Sequence, residues 1–175
     1  VAGIDDIRPF NFRQGELAFY AEKRVFEALK QRFSYVFETV NKYPGAPTIK
    51  EVEISKEHSF ELGGKIVIPV EAMHANLPVL GFRIDDFAYM TDVKTIDDTE
   101  KQKLKGLKVL VINALREKHH ESHLNIKEAL ELIEELQPET TYFTHISHLM
   151  GFHEEVEAKL PKHVHLAYDT LKITV

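Results

Sequence analysis

A mixed α/β fold, with helices packed on sheets, is predicted from three observations. Short β-like runs separated by turn pairs fill the middle of the chain. After Asp92 the pattern changes to alternating helix and strand. The chain has 175 residues and is 43% apolar, enough for one domain with a real core.

The elements follow in order. Residues 15–20 read as a strand and 22–33 as a helix, in which Val25, Leu29 and Phe33 share a face with Phe26 beside it. Residues 41–47 (Asn-Lys-Tyr-Pro-Gly-Ala-Pro) read as a loop. Runs 51–54, 59–62 and 65–70 read as strands, the last two joined by Gly63-Gly64 as a hairpin. Runs 79–84 and 87–91 flank Asp85-Asp86 as another hairpin. A helix over 97–105 precedes a buried strand over 108–112. Residues 125–136 form an amphipathic helix, with Asn125 as N-cap, Glu128 in a capping-box position and Gln137-Pro138 as the stop. A strand over 140–143, a helix over 152–160 and terminal strands over 165–167 and 171–174 complete the chain.

Composition narrows the function. Charged residues make up 29%, and no apolar run approaches a membrane span, so no membrane partner is expected. There is no cysteine, which excludes disulfides and thiolate metal sites and fits a reducing, cytoplasmic setting. A net charge of −6 and the lack of a basic stripe argue against a nucleic-acid scaffold. Histidine is over-represented, at ten residues. His58, His153, His163 and His165 lie in polar or loop-like surroundings and read as surface residues.

Four titratable positions follow apolar strands: His74, Asp92, the group His119, His120 and His123, and His145 in Thr144-His145-Ile146-Ser147-His148. Strand ends give rigid support beside free loops, so they suit a site. Imidazole and carboxylate are suitable ligands for zinc, manganese or iron, and a histidine free of metal can serve as a proton donor. Each residue has a plainer reading. Asp92 in isolation reads as a turn or cap residue, His74 as a loop residue, and the triple-histidine loop as a solvated face.

The blocks Val1-Ala2-Gly3-Ile4-Asp5-Asp6-Ile7-Arg8-Pro9-Phe10, His74 with Leu80-Gly81-Phe82-Arg83-Ile84, Tyr89-Met90-Thr91-Asp92, Asn113-Ala114-Leu115-Arg116 with His123, and Thr144 to His148 keep a characteristic order and spacing. Through them the chain resembles the metallo-β-lactamase-fold hydrolases, in particular the branch of the phosphonate-pathway cyclic-phosphate phosphodiesterase and, more distantly, RNase Z. The resemblance implies an αββα sandwich and covers residues 1–175 as one domain. It also implies two divalent metal ions (zinc, manganese or iron) and a small-molecule phosphodiester substrate attacked by a metal-bridged hydroxide. His74, Asp92 and His145 take the positions of metal ligands, Asp92 as the bridge, and His123 that of the general acid. His148 is read as a structural neighbour that orients a ligand, and His119 and His120 as pocket-lining residues outside the catalysis.

The family's His-x-His-x-Asp-His motif is expected immediately before a stretch like Val1 to Asp6. The chain is therefore read as N-terminally truncated, without the first strands and the main metal-binding loop. Uncovered strand edges would then favour a homo-oligomer. Two other readings stand beside the phosphodiesterase: an inactive fragment or non-enzymatic module with weak or empty metal sites, and a hydrolase of thioesters, lactones or lactams on the same metal core.

Overall fold

The computed structural model describes residues 3–40 and 42–174. Val1 and Ala2, which open the first block, Asn41, which opens the predicted loop, and Val175 lie outside the described residues. The chain divides into two compact units, Val1–Ser55 and Lys56–Val175.

In the first unit a 3-10 turn over Ile4–Ile7 leads into α1 (Arg8–Gln14). This helix is not among the predicted elements, because its seven residues bury nothing and carry no apolar stripe. Pro9 sits in its first turn, where no backbone donor is needed. Asn11 ties the helix to the start of the next strand pair: its Nδ2 donates to Thr48 O at 2.9 Å and its Oδ1 accepts from Thr48 N at 3.0 Å. Strands β1 (Leu17–Ala21) and β2 (Ile49–Glu53) pair in parallel around α2 (Lys23–Arg32) and the short α3 (Ser34–Phe37). Ile4, Phe26, Leu29, Val36 and Ile49 form this unit's core.

The second unit is built on a seven-stranded sheet in sequential order: β3 (Phe60–Leu62), β4 (Lys65–His74), β5 (Leu77–Ile84), β6 (Phe87–Met90), β7 (Val109–Asn113), β8 (Thr140–Thr144) and β9 (Val164–Leu166). The pairs from β3 to β6 are antiparallel and those from β6 to β9 parallel. Gly63 and Gly64 both have positive φ, as a two-residue hairpin of mirror-image type requires. Strand β7 is buried at every residue, which accounts for its unbroken apolar run. Helices α4 (Asp98–Gln102), α5 (Ile126–Leu136) and α6 (His153–Glu157) link the parallel strands. On α5, Ala129, Ile133 and Leu136 join the sheet core of Val70, Leu110, Ile112 and Phe143. The predicted capping box is present: Glu128 N donates to Asn125 Oδ1 at 2.8 Å and Asn125 N to Glu128 Oε2 at 3.0 Å.

In the second unit two strand predictions differ most from what is found. Strand β4 runs four residues beyond the predicted 65–70, so His74 closes a strand rather than sitting in a loop. Pro69 and Glu71 had broken the apolar alternation. Glu71 is accommodated because Lys56 pairs with its carboxylate at 2.5 Å. Residues 171–174 form no strand: Leu171 N turns back to Tyr168 O at 3.1 Å, and a lone extended segment gains no ladder.

Gly81 fixes the spacing between β5 and β6. A Cβ built there would lie 2.1 Å from Met90 Sδ and 2.8 Å from Tyr89 O. Gly81→Ala should therefore cost about 1–3 kcal/mol through overpacking. Denaturant unfolding checks this, and an unchanged midpoint would contradict it.

Candidate metal centre

Strands β4, β6, β7 and β8 point the same way, because β5 reverses direction between β4 and β6. Their carboxyl ends therefore open on one edge of the sheet, where α/β layers place ligand sites. His74 is the last residue of β4, Asp92 follows β6 by two residues, and His145 follows β8 by one. Asp92 and His145 both take left-handed backbone, φ 60° and 54°. Such a turn costs a non-glycine residue about 1–3 kcal/mol and is sustained only by its surroundings.

The edge brings the predicted residues together. One ligand atom from each of His74, Asp92 and His123 lies within 4.8 Å of the others. His145 Nε2 is 3.5 Å from Asp92 Oδ1, and His123 Nε2 is 3.2 Å from the same oxygen. The His123 ring stacks on His145 at 4.8 Å and meets His74 edge-on at 4.6 Å. His74 Nε2 is buried and has no hydrogen-bond partner among the described residues. An orphaned buried imidazole nitrogen loses its water without compensation, and a cation is the natural partner for its lone pair. The donor set of imidazole nitrogen and carboxylate oxygen fits a divalent transition metal.

The carboxylate and the imidazole have defined protonation. Burial raises the Asp92 carboxyl. The Thr91 hydroxyl, donating to Oδ2 at 3.0 Å, outweighs it together with the His123 ring and the charge of His145, and holds the carboxyl below its ordinary value. Asp92 is thus an ionised acceptor, which places a proton on His123 Nε2. Burial also pushes His123 below its ordinary value, against the pull of Asp92. On its other side, His123 Nδ1 lies 3.0 Å from Ser122 Oγ and 3.2 Å from His120 Nδ1. In the imidazolium form both can accept from Nδ1, so the ring can carry its second proton.

The remaining histidines divide. His120 touches His123 directly, closer to the chemistry than a pocket-lining role implies. His119 instead pairs with Glu128 at 3.1 Å on the outer side of the loop. His148 is exposed, and no hydrogen bond from its ring is found among the described residues. His58, His153 and His163 are exposed as expected, but His165 is half-buried and bonded to Glu157 at 2.8 Å. Ser122, Thr91 and Asn113 were not singled out as site residues. The i, i+3 spacing of His120 and His123 was a usable signal for the loop. A hydroxyl beside an aspartate, or an asparagine ending an apolar strand, is too common to be one.

A family model described as the β-lactamase superfamily domain matches residues 1–146, and the chain belongs to that family. Its fold is the metallo-β-lactamase fold. A crystal structure described as a new diphosphatase from the PhnP family is 32% identical, with a TM-score of 0.88 over 99% of this chain and 66% of that one. Zn(2+)-bound PqqB from Methylobacterium extorquens superposes with a TM-score of 0.76 over 100% of this chain and 69% of that one, at 14% identity. A protein of Porphyromonas gingivalis (strain ATCC BAA-308 / W83) named octanoyltransferase is 37% identical over the whole of this chain, which spans 35% of that relative. No helix among the described residues is long and apolar enough to cross a membrane.

Proposed function

We propose that this chain carries metal-binding and proton-donating residues of a metal-dependent phosphodiesterase acting on small phosphodiesters. The observation that carries the reading is the buried His74 Nε2, which lacks a partner among the described residues and lies in one group with the ionised Asp92 and His123, with His145 Nε2 3.5 Å from Asp92 Oδ1. His74, Asp92 and His145 would hold divalent metal, zinc, manganese or iron. A metal there lowers the cost of ionising a water and screens negative charge at phosphorus.

The protein's own residues do the rest. The Thr91 hydroxyl holds one carboxylate oxygen of Asp92 and turns the other toward the two imidazoles. In its imidazolium form His123 carries one proton on Nε2, the atom facing the site, and one on Nδ1; it hands the Nε2 proton to the leaving oxygen as the phosphorus–oxygen bond breaks and is left as neutral imidazole. The 32% identical neighbour, described as a diphosphatase, supports phosphorus over carbon as the centre attacked. The name octanoyltransferase belongs to a protein of which this chain matches about a third, so its acyl chemistry is not carried over.

The test is turnover of bis(4-nitrophenyl) phosphate by the full-length protein before and after chelation. Hydrolysis should stop on chelation and return with zinc or manganese. Hydrolysis that survives complete metal removal would overturn the reading. Metal-dependent turnover of thioesters or lactones alone would move the substrate class, and no turnover of any ester would favour a non-enzymatic module.

A further inference from the structure

All four site residues sit one position away from a backbone group tied into the same small network. Met73, before His74, accepts from Lys94 N at 2.7 Å. Val93, after Asp92, is gripped at both its polar groups by one side chain: its N–H donates to Asn113 Oδ1 at 2.6 Å, and its carbonyl accepts from Asn113 Nδ2 at 3.0 Å. The same carbonyl accepts from Leu124 N at 2.8 Å, the residue after His123. Leu124 O in turn accepts from Leu115 N at 2.9 Å, and Ala114 N donates to Thr144 O, before His145, at 3.2 Å. The segment from Asn113 to Leu115 is thus bonded to the stretches bearing Asp92, His123 and His145. It reaches His74 through Val93 and its neighbour Lys94.

Asn113 is fully buried, and its amide is used as both donor and acceptor. A buried amide with both ends satisfied on a single residue is a rigid clamp, and its loss would leave Val93 N unpaired and Val93 O with only its bond from Leu124 N. The clamped residue directly follows Asp92, whose left-handed turn needs external support.

We infer that Asn113 is a positioning residue, which holds Asp92 and His123 in their relative places before any metal arrives. It touches neither substrate nor metal. This rests on the metal reading above for its effect on binding, though not for its effect on the loop. Asn113→Asp preserves shape but replaces the donor to Val93 O by a second acceptor, and so breaks half of the clamp. Removing residues that orient metal ligands typically raises the dissociation constant about 10–100-fold.

The experiment measures three quantities in the full-length protein and in Asn113→Asp, Asn113→Ala and Leu136→Ala. These are zinc affinity by chelator competition, the imidazole NMR resonances of His123 and His145 in the metal-free protein, and the thermal midpoint. Leu136 lies in the core at the far end of α5, so its truncation lowers stability without touching the clamp. Expected are zinc binding weakened about 10–100-fold and displaced resonances in both Asn113 variants, with neither change in Leu136→Ala. Wild-type affinity and resonances in both Asn113 variants would overturn the inference. So would equal changes in Leu136→Ala, which would reduce the role to general stability. If the parent protein binds no zinc that Asp92→Ala abolishes, the metal reading fails, and displacement of the resonances still decides the positioning role.

Discussion

Replacing Asp92 by asparagine should weaken metal binding and reduce metal-dependent turnover by at least about 100-fold, above the range for residues that only orient a ligand. Asparagine is the informative substitution, because it tolerates the left-handed backbone that Asp92 adopts at φ 60°. It also keeps an oxygen for the Thr91 hydroxyl, which lies 3.0 Å away. What it removes is the charge. The ionised carboxylate faces two imidazoles on one oxygen, His123 at 3.2 Å and His145 at 3.5 Å, so its negative charge is the main attraction for a cation at this edge. The fold should survive, since no core residue is altered. Metal analysis and kinetics on Asp92→Asn check this, and unchanged metal content would remove Asp92 from the ligand set.

His123→Ala should lower turnover of a diester with a poor leaving group by about 10²–10⁴-fold, the usual contribution of a positioned proton donor. A nitrophenyl diester needs no proton on its departing oxygen and should lose far less. Metal content should remain. The pH profile carries the same sign. Burial holds His123 below its ordinary value of 6.5, and the acid must be protonated to act. The rate on the poor leaving group should therefore fall as pH rises through a value below 6.5, while the nitrophenyl diester shows no such fall. His123 is also near enough to His74 and Asp92 to count as a ligand by distance. If alanine there strips the metal, and both substrates suffer equally, His123 is a ligand and not the acid.

The sheet was legible where burial leaves a simple trace. The run from Val109 to Ile112 is apolar because β7 is covered on both faces, and Asn125 with Glu128 announces the start of α5. The carboxyl half of β4 was not legible. Its Glu71 has a lysine partner 15 residues earlier in the chain, and no local pattern reports that. The candidate site residues were legible as strand-end histidines and an aspartate, which a shared strand direction brings to one edge. Their support was not. Asn113 reads locally as the turn residue after a strand, and its role exists only because Val93, 20 residues away, lies beside it. Likewise the contact of His120 with His123 depends on how the loop closes, with Ser122 N donating to His120 Nδ1 at 3.3 Å.

In the proposed centre His74, Asp92 and His145 hold metal while His123 stands beside it as a proton donor. Anomalous diffraction from crystals of the zinc-loaded full-length protein tests it most directly. Metal is expected about 2.0–2.2 Å from His74 Nε2, an Asp92 carboxylate oxygen and His145, with His123 outside coordination distance. Zinc bound elsewhere, or zinc coordinated by His123 in place of His145, would contradict it.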